Sequence, residues 1–222
     1  MITKYGLVNF FVFICISLFL ISSIFFVNLS PLFLIPAFLG LLLFIFAFIF
    51  FRDPKRKIDS SIINDNTIIL SPADGRIVEI VQELEPIFLK QQAIRVSIFL
   101  SPFDVHVNRI PINGKVVYLE YVKGKFLAAY KPRASMLNEQ THIGIENENG
   151  LIFFKQIVGV AARRLVCELK LGDEVKIGAT FGMMKFGSRI DIFLPLDSII
   201  FVNIKNRVVA GKTIIAKLIN NM

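Results

Sequence analysis

Two stretches without any charged residue, 7–27 and 32–51, dominate the first quarter of the chain. At about 1.5 Å per residue, a helix of either length can cross a hydrocarbon core of roughly 30 Å. The short uncharged segment 28–31 between them predicts a helical hairpin. We therefore expect residues 1–53 to form a membrane anchor with helices at about 7–27 and 32–51, and residues 54–222 to form a separate domain.

A cleaved signal peptide is the alternative explanation of the first stretch. No small-residue cleavage site follows it, and the second apolar stretch begins almost at once, which favours two retained transmembrane helices. Basic residues flank the pair: Lys4 before it, and Arg52, Lys55, Arg56 and Lys57 after it. By the positive-inside rule, both ends of the hairpin and the rest of the chain are expected on the cytoplasmic side of the cell membrane.

From about residue 58 the sequence changes to short runs typical of β-strands, separated by turn signals. The predicted strands are 67–70, 75–81, 93–100, 114–122, 151–160, 163–169, 189–195 and 198–204. The segment 147–150 (NENG) predicts a hairpin turn, and 131–141 predicts a long polar loop next to a solvated His142. Segments 173–180 and 206–213 share the pattern V-x-x-G-x-T. The fold class is therefore mainly β, with one sandwich or barrel-like domain after the hairpin.

The net charge of +8 raises the question of a nucleic-acid partner. The sequence contains no basic motif with interleaved aromatic residues and no zinc-ligand spacing, so we expect no nucleic acid to bind. Next to apolar helices, an excess of basic residues indicates attraction to an anionic lipid surface.

Two short polar segments are candidates for a functional site. In SPADG (71–75), Asp74 can bind backbone amides in a turn, or it can orient a base. In LSPFDVHVNR (100–109), polar side chains follow an apolar run, among them Asp104, His106 and Arg109. A histidine near a strand end is either a satisfied structural residue or an acid–base group whose pKa is tuned by its neighbours.

A third segment, GMMKFGSRIDIFLP (182–195), makes the sequence recognisable. Together with FFRDPKR (50–56), SPADG and LSPFDVHVNR, it resembles the phosphatidylserine decarboxylase proenzymes of the short, pyruvoyl-dependent class. The resemblance implies self-cleavage between Gly187 and Ser188 into a large chain 1–187 and a small chain 188–222, which stay together as a heterodimer. It also implies that phosphatidylserine becomes phosphatidylethanolamine and CO₂ through a Schiff base with a pyruvoyl group made from Ser188, without a metal or pyridoxal phosphate.

The chemistry of the residues agrees with this resemblance. Loss of CO₂ from an amino acid needs an electron sink, and no side chain of the twenty offers an electrophilic carbonyl. Ser188 can make one: its Oγ attacks the Gly187 carbonyl and converts the peptide bond into an ester, unhindered because glycine lacks a Cβ. Loss of the Ser188 α-proton then eliminates the ester. Hydrolysis of the resulting dehydroalanine leaves a pyruvoyl group and releases ammonia.

The resemblance also assigns roles to other residues. Asp74 matches the aspartate of a relay that drives self-cleavage in the longer relatives. Those relatives carry two histidines where this chain has HVNR; His106 matches the first, and Arg109 stands in place of the second, the relay histidine. We therefore expect His106 to carry protons as a general acid or base, while the base for self-cleavage stays open. Arg109 is expected either to hold the phosphate or carboxylate of the substrate or to pair with Asp104.

Two other functions compete with this prediction. One is a non-catalytic, membrane-tethered β module that binds lipid headgroups. The other is a serine hydrolase with Ser188 as a recurring nucleophile, although the G-x-S-x-G elbow of many such enzymes is missing. In both, the chain would stay whole. The lipid tails and any further oligomer are left open by the sequence.

Overall fold

The structure is a computed structural model that describes residues 1–129, 133–160, 165–184 and 187–219. The chain forms two compact units, Met1–Lys55 and Arg56–Met222.

The first unit is a pair of antiparallel helices, α1 (Leu7–Ile21) and α2 (Leu34–Phe50), with short 3₁₀ segments at Lys4–Gly6, Ser22–Phe26 and Pro31–Phe33. The ring of Phe10 near the start of α1 lies 5.1 Å from that of Phe48 near the end of α2. The helices approach closely at Gly40, where a Cβ would lie 2.8 Å from the Cβ of Leu20. The predicted hairpin is confirmed, and the helical segments Lys4–Phe26 and Pro31–Phe50 are long and apolar enough to cross a membrane.

The second unit is mainly β, as predicted. Two single-turn helices, α3 (Ser60–Ile63) and α4 (Ala134–Leu137), accompany the strands. The strands are β1 (Ile68–Leu70), β2 (Gly75–Glu85), β3 (Gln91–Leu100), β4 (Val107–Arg109), β5 (Gly114–Val122), β6 (Gln140–Asn147), β7 (Gly150–Ile157), β8 (Leu165–Cys167), β9 (Glu174–Val175), β10 (Thr180–Met184), β11 (Ser188–Pro195), β12 (Ile199–Ile200), β13 (Arg207–Val208) and β14 (Ile214–Lys217).

A curled eight-stranded antiparallel sheet, in the order β13-β2-β3-β11-β7-β6-β5-β9, forms most of this unit. Two three-stranded sheets, β1-β14-β12 and β4-β10-β8, complete it. Alternate residues of β11 face opposite sides of the sheet. Ile190, Ile192 and Leu194 belong to the main hydrophobic core, so the side chains of Arg189 and Phe193 lie on the second face.

Several local predictions are confirmed and others are wrong. The hairpin turn joins β6 to β7, with Asn147 paired to Gly150. Only Ile199–Ile200 of the predicted strand 198–204 pairs as a strand, and the predicted loop 131–141 contains α4 and the start of β6. Its residues 131 and 132 lie outside the described ranges. His142 is not solvated but buried within β6, where its ring packs edge-on against Phe153.

The V-x-x-G-x-T echo belongs to an internal repeat with approximate two-fold symmetry. Both echo segments turn at a left-handed glycine, Gly178 with φ +78° and Gly211 with φ +66°. In each segment a threonine lies two residues after the glycine. Each segment also contains a two-residue strand that pairs with the start of a longer strand: β9 with β5, and β13 with β2. The sequences that open those longer strands, PINGKV (111–116) and PADGRI (72–77), are themselves similar.

Hydrogen bonds show that the two halves are related reciprocally. The Leu70 amide donates to the Pro111 carbonyl (2.8 Å), and the Arg109 amide donates to the Pro72 carbonyl (2.9 Å). The second hydrogen bond repeats the first, because Arg109 lies 39 residues after Leu70 and Pro72 lies 39 residues before Pro111. The same spacing separates Asp74 from Asn113. Asp74 and Asn113 are therefore equivalent positions in the two halves.

Candidate active site

The segments that carry the predicted site residues lie at one end of the eight-stranded sheet. There β2 begins, β3 ends and β11 begins. Ser188 is paired with Leu100, and Gly75 lies so close to β3 that a Cβ would be 2.3 Å from the Phe99 carbonyl oxygen. The structure therefore brings the Asp74 turn, the segment after β3 and the start of β11 to the same edge.

Ser188 is fully buried as the first residue of β11. Its Oγ has no hydrogen-bond partner among the residues that the structure describes. Gly187 has φ +63°, a left-handed conformation that other residues adopt only at a cost. A buried hydroxyl without a competing partner, directly after such a turn, can be directed at the preceding carbonyl.

The carbonyl of Gly187 lies against the backbone of Gly159, at the end of β7. A Cβ on Gly159 would be 1.9 Å from the Gly187 oxygen and 3.0 Å from its carbon. Sequence reasoning missed Gly159. The available signal is that Gly159 lies near the end of a predicted strand and has no Asn, Asp or Ser beside it that would indicate a turn. A glycine in such a position indicates that another backbone approaches closely.

His106 is fully buried just before β4, and hydrogen bonds tie it to its surroundings at two points. Its Nδ1 lies 2.9 Å from the Asp104 carbonyl oxygen. Because a carbonyl only accepts, Nδ1 carries the proton in the neutral ring, and Nε2 is the basic nitrogen. The His106 carbonyl accepts from the Met184 amide at 3.2 Å, three residues before Gly187. The β4–β10 pairing thus ties His106 to the segment that leads to Ser188.

A buried pair of amides lies on the inner side of the sheet. Gln156 Nε2 donates to Asn108 Oδ1 at 2.8 Å, and both side chains are fully buried. Gln156 is paired with Ile190 and therefore shares a sheet face with Ser188. The other amide atoms, Gln156 Oε1 and Asn108 Nδ2, have no partner among the described residues. Exchanging the oxygen and nitrogen positions of both amides would still leave one carbonyl oxygen and one NH₂ group without a hydrogen-bond partner. Sequence reasoning missed Gln156, because only the fold places it opposite Asn108.

Asp74 is held in a dense set of hydrogen bonds. Arg56 Nη2 donates to both of its oxygens, at 2.8 and 3.1 Å, and the Ala210 amide donates to Oδ1 at 2.8 Å. Burial raises the pKa of Asp74, and the Ala210 amide and the Arg56 guanidinium oppose that shift. Asn113 accepts from the Ile177 amide at 2.8 Å in the equivalent half, so accepting this amide hydrogen bond needs only an oxygen and no charge.

Arg109 lies on the other face of β4 from Asn108. Its Nη1 donates to the Gly178 carbonyl at 3.1 Å, and its Cδ packs at Gly211. Asp104, the alternative partner, pairs with Arg207 at 2.9 Å and accepts from Ser101. A contact between Arg109 and the substrate stays a prediction.

A sequence profile described as phosphatidylserine decarboxylase matches residues 43–216, which include every site residue described above. The chain belongs to the phosphatidylserine decarboxylase family. The resemblance found in the sequence is therefore confirmed.

Similar proteins named phosphatidylserine decarboxylase proenzyme occur in several bacteria. The protein of Amoebophilus asiaticus is 48% identical over 76% of this chain and 74% of its own length. That of Prosthecochloris aestuarii is 44% identical over 82% of both chains. That of Carboxydothermus hydrogenoformans is 44% identical over 83% of this chain and 87% of its own length. The decarboxylase family thus covers the β-rich unit described here.

Proposed function

We propose that this protein is a phosphatidylserine decarboxylase whose precursor cleaves itself between Gly187 and Ser188. The observation that carries the proposal is the arrangement at the start of β11. A buried Ser188 hydroxyl without a described partner follows a left-handed glycine, and the carbonyl of that glycine lies against Gly159.

The surroundings of Ser188 fit a pyruvoyl group formed from this residue. The position is fully buried, and the unused carbonyl and NH₂ of the Asn108–Gln156 pair supply polar groups on the same face. When formed, the group supplies the electron sink that allows an amino acid to lose CO₂. The chain's own residues have to bind the lipid headgroup, exclude water and move protons.

Self-cleavage uses atoms of the chain alone, plus one water. Ser188 Oγ forms a bond to the carbonyl carbon of Gly187 while the peptide C–N bond between these two residues breaks. The amine of Ser188 takes up the hydroxyl proton. Loss of the Ser188 α-proton then breaks the Cβ–Oγ bond and releases Gly187 as a carboxylate. Water hydrolyses the remaining enamine and ammonia leaves, so no external oxidant or reductant is needed.

His106 is the group we propose as proton carrier, through Nε2. The hydrogen bond at Nδ1 sets the tautomer and orients the ring, and general acid–base catalysis contributes about 10²–10⁴-fold in rate. Asp74 supplies a negative charge at the same edge of the sheet, paired with Arg56. We also propose Arg109 as a contact for the phosphate or carboxylate of the substrate.

The cleaved chains would remain associated. Strand β11 begins at Ser188 and lies between β3 and β7, both from the 1–187 segment. The small chain would therefore keep two backbone ladders to the large chain, which supports a stable heterodimer. The apolar helices and their basic flanks support a location at the cell membrane with the β-rich unit on the cytoplasmic side.

The test is CO₂ release from phosphatidylserine by the full-length protein in lipid nanodiscs. Wild-type protein should release CO₂, and Ser188→Ala should remain uncleaved and inactive. Ser198→Ala is the matched control, because Ser198 is also a buried serine whose Oγ has no described partner. An uncleaved wild type that only binds the lipid would favour the headgroup-binding module, and lipid hydrolysis by an intact chain would favour the hydrolase.

A further inference from the structure

A cavity of about 510 Å³ lies on the second face of the eight-stranded sheet, the face opposite to Ser188. Cavities of this size hold small molecules in many proteins. Phe193 of β11 forms part of its wall, whereas Ser188, Ile190 and Ile192 of the same strand face the other way. Much of the remaining wall is apolar: Leu84, Pro86, Ile87, Val122 and Met136.

The ammonium of Lys155 is the main charge in this cavity. The residue is only 8% exposed, and its Nζ lies 5.4 Å from the ring centre of Phe153 and 5.1 Å from that of Phe193. Its Nζ makes no ion pair and no hydrogen bond to any residue that the structure describes. A buried ammonium with only aromatic rings for partners is costly, since its three N–H donors lack acceptors.

The carboxylates nearest to Lys155 are already bound elsewhere. Asp191 accepts from Arg189 at 2.5 Å and from the Ser135 hydroxyl. Glu83 pairs with Arg95 at 2.7 Å. Glu85 accepts from the backbone amides of residues 87–89 at 2.7–2.9 Å. Because these anions have strong partners of their own, the cavity offers Lys155 a position for an anion that the protein does not supply.

Two further side chains that line the cavity have polar atoms without a described hydrogen-bond partner. Gln140 and His142 are each 4% exposed, and Gln140 Oε1 and His142 Nε2 make no hydrogen bond to any described residue. His142 Nδ1 lies 3.7 Å from Glu120, beyond hydrogen-bond length. His142 is paired with Lys155 across β6 and β7, so the three side chains share one face. The cavity thus combines a cation, an imidazole and an amide with an apolar wall.

We propose that this cavity is a second binding site, separate from Ser188, for an oxyanion carried on an apolar group. The oxyanion, a carboxylate or a phosphate, binds the Lys155 ammonium, and its remaining oxygens accept from the His142 imidazole and the Gln140 amide. The apolar group packs on Phe193 and Ile87. A fatty-acid carboxylate and a lipid phosphate share this chemistry.

The experiment is a calorimetric titration of the full-length protein in phosphatidylcholine nanodiscs, with empty discs as the blank. The probes are hexanoate and dihexanoylphosphatidic acid, with acetate and inorganic phosphate as their counterparts without an apolar group. Lys155→Met removes the charge and keeps the length of the side chain. Lys170→Met is the matched control at an exposed lysine. Gln140→Leu is a second variant, should Lys155→Met fail to fold, and Ser188→Ala separates this site from the reacting one.

We expect hexanoate or dihexanoylphosphatidic acid to bind wild type and Ser188→Ala equally, and about tenfold or more weakly to Lys155→Met. Lys170→Met should bind as wild type does, and the stronger of the two probes identifies the oxyanion. The inference is overturned if neither probe binds, which would mean that the cavity holds water only. It is also overturned if Lys155→Met and Gln140→Leu bind as wild type does, or if acetate and phosphate bind as tightly as their longer counterparts.

Discussion

The substitution Gly159→Ala tests whether the Gly187 carbonyl must lie where the structure places it. The new Cβ would be 1.9 Å from the Gly187 oxygen, whereas real Cβ atoms essentially never come within 3.0 Å of another heavy atom. Relief of the clash therefore needs a shift of about 1.1 Å (3.0 minus 1.9). The chain around Gly159 has little room, because the Val158 amide is bonded to the Glu139 carbonyl at 3.0 Å and the Ala129 Cβ lies 3.3 Å from the new methyl group.

The carbonyl itself is thus expected to move away from Ser188. A displacement of about 1 Å from reactive geometry can cost about 10²-fold in rate, so we expect self-cleavage to slow by about that factor. The assay follows the conversion of newly synthesised full-length protein in nanodiscs into two chains by gel and mass spectrometry. Val160→Ala, at the neighbouring residue that is 61% exposed, is the control and should mature at the wild-type rate.

Hydroxylamine at neutral pH locates the step that is affected, because it cleaves an ester at 187/188 and leaves ordinary peptide bonds intact. Cleavage at the two Asn–Gly bonds, 113/114 and 149/150, which alkaline hydroxylamine attacks, would give fragments of other masses. If Gly159→Ala hinders the attack, the uncleaved variant should resist hydroxylamine, and the few matured molecules should decarboxylate normally. Maturation at the wild-type rate in a folded variant would refute the reasoning. Accumulation of a hydroxylamine-sensitive precursor would also contradict it, since the attack would then have occurred.

Three further predictions address His106, Asp74 and His142. His106→Ala should slow self-cleavage or decarboxylation by about 10²–10⁴-fold, and wild-type rates of both would remove His106 as proton carrier. The variant Asp74→Asn should fold, because the side chain of Asn113 accepts from the equivalent backbone amide in the other half. Its self-cleavage should be about 10²-fold slower than that of the wild type. Self-cleavage at the wild-type rate would mean that Asp74 is a turn residue only. Burial and then the Lys155 ammonium lower the pKa of His142 to about 4, so the unfolded chain binds more protons than the folded protein between about pH 6.5 and 4. Stability should fall by up to about 3 kcal/mol as the pH drops through that range, and His142→Gln should weaken this fall in thermal unfolding; an unchanged fall would contradict the burial of a neutral ring.

Residues that act through local sequence could be predicted. The uncharged runs predict the two helices, and the β-type run 189–195 predicts β11. The motif FGSR and the segments around Asp74 and His106 are recognisable because each is continuous in the chain. The fold adds that β2, β3 and β11 bring all three segments to one edge of the sheet.

Residues whose role depends on distant partners could not be predicted. Gly159 is required by the Gly187 carbonyl, 28 residues further along, and Gln156 has Asn108 as its partner. The solvated position predicted for His142 is wrong because the first six residues of its strand are all buried, and a strand buried on two faces lacks the alternation that would reveal it. The echo between 173–180 and 206–213 was visible, but the reciprocal hydrogen bonds that give it meaning exist only in the folded chain.

The most direct test of self-cleavage at Ser188 is the intact mass of the purified full-length protein, with and without a carbonyl-trapping amine. The account predicts two chains, 1–187 and 188–222. The smaller one should be lighter by one ammonia than a chain that begins with serine, and it should gain the mass of the trapping amine less one water, which the condensation releases. A single chain of 222 residues after folding in lipid, or a small chain that begins with an unmodified serine, would contradict the account.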